Sequence, residues 1–324
     1  MRRIDAGHFA GSEPAFRYWD ATGVVPANCA KCHTDSGLPM FIAEGVNISA
    51  PSSNGLQCAT CHNDVETFTI YEIAGVTFPS GARIDAGPES NLCLVCHQGR
   101  ESTVSVNRLI GDKEADVVSD QLRFLNIHYF AAGATRYGTE VKGAYEYAGK
   151  EYEGFYAHAR GMSECADCHG FHKLEVDAAV CAECHREVQG PEDIRNIVYY
   201  EDDDWDGDAE TLGLAAEIDS LKKILYAELQ RYAAEVVGTG IVYNSHSHPY
   251  FFTDTNGNGI ADPEESVRAN QYNTWTPRLL RAAYNYQYAS KDPGAYVHNG
   301  LYIIQTLYDS IEDLGGDVTG MVRP

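Results

Sequence analysis

All ten cysteines of the chain stand in five copies of one pattern: Cys29-Ala-Lys-Cys32-His33, Cys58-Ala-Thr-Cys61-His62, Cys93-Leu-Val-Cys96-His97, Cys165-Ala-Asp-Cys168-His169 and Cys181-Ala-Glu-Cys184-His185. Covalent haem attachment is the chemistry that needs this spacing. Two thiols one helical turn apart add across the two vinyl groups of a porphyrin, and the next residue offers an imidazole to the iron as proximal ligand. Zinc sites and thioredoxin-like pairs also use Cys-x-x-Cys, and short disulfides would consume the same thiols. None of these asks for a histidine directly after every second cysteine. The expectation is five haem c groups, with no cysteine left for other work.

Five irons need five distal ligands unless some stay open for chemistry. Seven histidines remain: His8, His128, His158, His172, His246, His248 and His298. In a protein without haem most of these would be surface or hydrogen-bonded core residues. Beside unsaturated irons, histidine becomes the first candidate. His172 follows His169 closely and cannot travel far from the last two motifs. His128 and His158 lie in the long interval before Cys165, His298 follows the Asp292-Pro293-Gly294 turn, and His8 sits on an N-terminal arm. These five are the expected distal ligands, and of His246 and His248 at most one is expected to ligate. Methionine, the other common axial ligand, is scarce at four residues. The composition therefore favours bis-histidine, low-spin, low-potential irons that exchange electrons without binding substrate.

Two acidic loops carry a different chemistry. Asp254-Thr-Asn256-Gly-Asn258-Gly259-Ile260-Ala-Asp262-Pro-Glu-Glu265 matches the calcium-loop pattern, with side-chain oxygens at Asp254, Asn256, Asn258, Asp262 and Glu265 and the carbonyl of Ile260. The flanking Pro249-Tyr-Phe-Phe is not helical, so the loop is expected outside a full EF-hand, and a solvated Asn/Gly turn is the alternative. Asp202, Asp204, Asp206 and Asp208 repeat the first half of the pattern. Position twelve counted from Asp202 is Gly213, so the last carboxylate would come from elsewhere, with Glu217 the candidate. Bracing of the C-terminal region, rather than catalysis, is the expected role of calcium.

Certain elements must position these groups. The intervals between successive first cysteines (29, 58, 93, 165, 181) are 29, 35, 72 and 16 residues, so no fixed repeat underlies them. At 324 residues for five porphyrins, the haems themselves are expected to supply much of the apolar core. Beyond residue 190 helical periodicity appears. Leu214, Ile218, Leu221, Leu225, Leu229 and Tyr232 share one face and Gly238 marks a stop. A second helix is expected over about Thr276 to Tyr288. A third follows Asn299 with Leu301, Ile304, Leu307 or Tyr308, and Ile311, ending near Gly315. Strand signals are confined to short pieces such as Glu66–Ile73 and Gly240–Tyr243. The fold expected is mainly α with extensive coil: a haem domain over 1–190 wrapped around stacked haems, and a helical domain over 191–324 with calcium-type loops.

Net charge is −23, from 47 acidic and 24 basic residues, which argues against nucleic acid and anionic membranes and for a basic redox partner. No stretch approaches a membrane-spanning apolar length, and Met1-Arg2-Arg3 is followed by no apolar leader. Because haem is attached to Cys-x-x-Cys-His outside the cytoplasmic membrane, the numbering is expected to describe a mature, exported chain.

With those residues in view, the chain resembles an exported pentahaem c-type cytochrome family of environmental bacteria and archaea. The resemblance rests on the five motifs, on Ala15-Phe-Arg-Tyr-Trp-Asp20, and on His97-Gln-Gly-Arg100. It rests also on Trp275-Thr-Pro-Arg-Leu-Leu-Arg-Ala-Ala-Tyr-Asn-Tyr-Gln287 and Asp292-Pro-Gly-Ala-Tyr-Val-His298-Asn299. Some extracellular cytochromes of this wider group form filaments, or nanowires, in which a histidine of one subunit ligates a haem of the next. That resemblance implies a homopolymer with His8 in the bridging role, and donor and acceptor proteins or minerals at the cell surface. Two other readings stand beside it. A multihaem nitrite or hydroxylamine reductase needs one open iron, against which stand five unmodified motifs and more spare histidines than irons. A periplasmic electron shuttle, or a subunit docking on a larger complex, is the third.

Overall fold

A computed structural model describes residues 8–9, 13–199 and 204–324. It is mainly helical with little sheet and extensive coil. Among the described residues no helix is long and apolar enough to cross a membrane.

Two compact units divide the chain, and neither is a continuous stretch. The first comprises Met1–Thr77, Arg83–His97 and Ala157–Ile194; the second comprises Phe78–Ala82, Gln98–Tyr156 and Arg195–Pro324. The sequence suggested a single boundary at 190. The segment 98–156 departs from that expectation because hydrogen bonds hold it to the C-terminal helices. Asn285 Oδ1 accepts from Tyr145 N at 2.6 Å, Tyr302 Oη accepts from Ala144 N at 3.2 Å, and Tyr284 donates to Gly143 O at 2.7 Å.

In the first unit the elements are short. Helices Ala27–His33, Gly37–Glu44, Cys58–Cys61, Pro88–His97 and Ala178–Ala182 are joined by coil and by three two-stranded antiparallel ladders. Helices this brief are marginal alone and need packing partners. The first two pack so closely that a Cβ on Gly37 would lie 1.9 Å from Ala30 O, so only glycine fits there. Val25, Ala30 and Ala50 form a small core on which Trp19, Cys29 and Met40 rest.

Three long helices build the second unit: α1 (Leu214–Tyr232), α2 (Pro277–Lys291) and α3 (Ala295–Asp313). The apolar stripe expected on α1 is buried from Leu214 to Tyr232, and a short π turn carries the chain to Gly238, whose φ of 79° ends it. Thr276 caps α2 by accepting from Leu279 N at 3.1 Å, with Pro277 in the first turn. Asn299 is non-helical (φ −171°, ψ 77°) and divides α3, its Oδ1 accepting from Tyr302 N at 3.2 Å. The main body of α3 therefore begins after Asn299, where the periodicity placed it. Between α1 and α2 runs an antiparallel pair, β1 (Ile241–Tyr243) and β2 (Phe251–Thr253).

Candidate metal centres

All five Cys-x-x-Cys-His motifs lie in the first unit, and the first cysteine of each sits on a short helix or 3₁₀ turn. Helices Ala27–His33 and Pro88–His97 carry the whole first and third motifs, Cys58–Cys61 both cysteines of the second, while Cys165–Asp167 and Ala178–Ala182 hold the first cysteine of the fourth and fifth. Capping fixes where these turns start. Gln57 N donates to Thr60 Oγ1 at 3.0 Å, Glu164 N to Asp167 Oδ2 at 2.8 Å, and Asp177 Oδ1 accepts from Ala179 N at 3.1 Å. One helical turn is the separation at which two thiols reach the two vinyl groups of one porphyrin. None of the ten cysteines forms a disulfide, and each is at least partly exposed. The donor set therefore fits covalently held haem.

The motifs crowd together. The Cys32 thiol beside Cys96, with burial, holds Cys96 well above the ordinary thiol range, and Cys165 together with burial does the same to Cys93. Ser90, on the helix of the third motif, bonds to the Glu164 carboxylate and accepts from Cys165 N at 3.2 Å. The attachment points of the first and third motifs are thus neighbours, as are those of the third and fourth.

Among the described residues, three motif histidines have a second imidazole close by. His62 and His172 have ring centroids 6.2 Å apart, His158 and His185 6.3 Å, and His8 and His97 5.8 Å. Two imidazoles bound to opposite faces of one iron place their centroids roughly 6 Å apart, from a metal–nitrogen bond of about 2.0 Å and a nitrogen-to-centre distance of about 1.1 Å on each side. Burial and, after it, the His97 and His169 imidazoles lower His8 to about 4, so it is held neutral, the form that binds metal.

Hydrogen bonds orient several rings. His33 Nδ1 meets Ala15 O at 3.0 Å while the ring rests against Trp19 and Phe16. His62 Nδ1 meets Phe68 O at 2.8 Å. A Nδ1–H given to a carbonyl puts the lone pair on Nε2, as a metal-ligating histidine requires.

His128 and His298 belong to the second unit. His128 has a φ of 77° and accepts no helix; its N donates to Asn126 Oδ1 at 3.0 Å. His298 Nδ1 lies 3.0 and 2.9 Å from the two oxygens of buried Asp292. Of the remaining pair, His246 is exposed with Nδ1 3.0 Å from Ser245 Oγ, and His248 packs against Tyr250.

Burial pushes the Asp292 carboxyl up, but the His298 imidazole and hydrogen bonds outweigh it and hold Asp292 below its ordinary range. The stabilisation is then complete above the usual aspartate value and fades as pH falls through the lowered one. Asp292→Asn is expected to cost about 1–3 kcal/mol at neutral pH. Chemical denaturation of the haem-loaded protein would show the deficit at pH 7 and its narrowing as pH falls below the usual aspartate range.

The two acidic loops lie in the second unit. In the first, Asp254 Oδ1 accepts from Gly257 N at 2.8 Å and Oδ2 from Gly259 N at 2.9 Å; Asn258 Oδ1 accepts from Ile260 N at 2.8 Å. Asn256 and Asn258 each donate to Asp262 Oδ2 at 2.9 Å. In the other, Asp202 lies outside the described residues, while Asp204, Asp206 and Asp208 bring carboxylate oxygens within 4.8 Å of one another. Glu217, buried in the first turn of α1, accepts from Trp205 N at 3.2 Å and Leu212 N at 2.9 Å.

No family model matches the chain, and no solved structure matches it. Among curated proteins it is similar to the C-type polyheme cytochrome OmcB of Geobacter sulfurreducens, at 27% identity over 94% of this chain and 46% of that protein. It is similar also to the C-type polyheme cytochrome OmcC of the same organism, at 26% identity over 98% of this chain and 47% of that protein. The chain spans about half the length of the curated relatives it matches.

Proposed function

We propose that the chain is a multihaem c-type cytochrome, carrying electrons through five covalently bound haems whose irons are mostly ligated by two histidines; its similarity to polyheme cytochromes and its five motifs support this. The observation that supports the reading is the set of three imidazole pairs with ring centres 5.8–6.3 Å apart, each containing one motif histidine. When bound, haem supplies the one-electron ferric/ferrous couple of its iron. The protein's part is to hold and shield it. Paired thiols fix each porphyrin through two thioether bonds, so no ligand exchange can release it. Imidazoles on both faces would leave no site for substrate, and the carbonyls of Ala15 and Phe68 hold the motif histidines His33 and His62 in one tautomer. In this reading the chain is an electron carrier, not an enzyme.

In this reading His8, whose ring centre lies 5.8 Å from that of His97, would serve the iron of the third motif within its own chain, in place of the bridging role that the resemblance implies. Export, implied by the attachment chemistry, and basic donor or acceptor proteins, favoured by the charge of −23, belong to the same proposal. A homopolymer, which the resemblance implies, is tested by negative-stain microscopy of the native protein.

Intact-mass spectrometry and the optical spectrum test the centre of the proposal. The expected mass exceeds the polypeptide by five haems, with a low-spin spectrum that cyanide and carbon monoxide leave unchanged. Fewer haems would refute the count. A high-spin band that responds to those ligands would transfer the reading to a multihaem reductase.

A further inference from the structure

We propose that the loop Asp254–Glu265 of the second unit is a calcium site, with oxygens from Asp254, Asn256, Asn258, Ile260, Asp262 and Glu265. The turn by itself would not require an ion: Gly257 and Gly259, at φ of 73° and 74°, and the side-chain-to-amide bonds of Asp254 account for its shape. What the turn does not account for is Glu265. Its side chain is buried, with the residue 4% exposed. Oε1 accepts from Thr255 N and Thr255 Oγ1, both at 2.6 Å, and from Asn256 N at 3.2 Å, which fixes the carboxylate against the start of the loop. Oε2 of the same carboxylate is buried and meets no hydrogen-bond donor among the described residues. A carboxylate oxygen taken out of water with neither donor nor cation is strongly disfavoured, and such an atom asks for a partner that the protein does not supply.

Charge says what that partner is. Asp254, Asp262 and Glu265 supply three carboxylates within twelve residues of chain, and among the described residues no lysine or arginine pairs with any of them. The remaining candidate ligands are two amides and a backbone carbonyl, so the set is wholly oxygen. Six or more oxygens on a flexible loop, with a carboxylate at the twelfth position, suit calcium rather than magnesium, which demands a tight octahedron and keeps its waters. Bonds from the same loop show what the ion would brace. Gln230 of α1 donates to Gly259 O at 2.8 Å, and Asn270 donates to Glu265 O at 3.0 Å and to Thr253 O of β2 at 2.8 Å. Calcium would thereby tie the loop to α1 and β2.

The test uses the haem-loaded protein, equilibrated by dialysis with calcium chloride at about 1 mM, the upper part of the range of extracellular calcium modules. Bound calcium per chain is measured by elemental mass spectrometry for the wild type, Glu265→Gln and Asp254→Asn. Each variant should hold one calcium fewer than the wild type, with haem content and far-ultraviolet dichroism unchanged, and calcium should raise its melting temperature less. The two variants guard against a folding defect in either one. Equal calcium in wild type and variants would overturn the site, as would a wild type that binds none.

Discussion

Replacing His172 by alanine is expected to turn one haem of the five high-spin and open to carbon monoxide, while the other four keep their low-spin spectrum. The expectation follows from the asymmetry of the pair. His62 is fixed three ways: by the covalent motif it belongs to, by its Nδ1 contact with Phe68 O at 2.8 Å, and by an edge-on contact with the Phe68 ring. Among the described residues His172 has no such anchor, and it is exposed, so its removal deletes a ligand with little loss of buried surface. The 6.2 Å separation of the two rings then leaves room for one exogenous ligand on the vacated face. Magnetic circular dichroism or electron paramagnetic resonance, with carbon monoxide titration of the reduced protein, counts the altered irons. A spectrum that stays low-spin at all five would show that His172 is not the partner of His62. His172→Met should restore the low-spin state at a higher potential, because thioether in place of imidazole favours ferrous iron.

How much of this was legible in the sequence depends on whether the constraint is local. Attachment was legible because the covalent reaction fixes residue types within five positions. The long helices were legible because a buried face repeats every 3–4 residues, as it does from Leu214 to Tyr232. Pairing of imidazoles was not, since His62 and His172 meet through tertiary structure and nothing local links them. Neither was the division into units. The segment 98–156 joins the helices through bonds from its backbone to the side chains of Asn285, Tyr302 and Tyr284, and such bonds leave no period to read.

The acidic loop before α1 shows a subtler failure. Counted from Asp202 it breaks off at Gly213. Its hydrogen bonds instead follow those of the later loop when counting starts at Asp204. Asp204 accepts from Gly207 N at 2.7 Å and from Ala209 N at 2.8 Å, as Asp254 does from Gly257 and Gly259. Two things hid this register. Ala209 occupies, at φ 69°, the left-handed position that a pattern reserves for glycine. The carboxylate that meets Trp205 N belongs to Glu217, further along the chain than the pattern allows and already on α1.

The largest effect concerns folding itself. A chain made without haem attachment, whether by synthesis in the absence of the maturation machinery or by Cys→Ala at all ten cysteines, is expected to lose the structure of its first unit and keep that of the second. In the second unit Trp275, Tyr284, Tyr288, Tyr302, Leu221, Leu225 and Leu229 are fully buried, and three long helices share that core. Each large aromatic removed from water contributes on the order of 5 kcal/mol, from about 200 Å² at 25 cal/mol/Å². Among its described residues the first unit has a smaller store: beside Val25, Ala30 and Ala50 it buries Phe16, Leu38, Val76, Leu94, Val95 and Val188, with no buried tryptophan or tyrosine, its helices run from four to ten residues, and its ladders are short. Pieces of that length do not hold helical structure on their own. The missing apolar surface is what five porphyrins would supply, each larger than any side chain and tied down at two points. Hydrogen–deuterium exchange separates the two units in one experiment. Amides of Ala27–His33, Gly37–Glu44 and Pro88–His97 should exchange at nearly unprotected rates in the haem-free chain, while those of α1, α2 and α3 stay protected by at least about 100-fold. Protection of the motif helices without haem would mean that the polypeptide alone folds the first unit, and the porphyrins would then be passengers in it rather than its core.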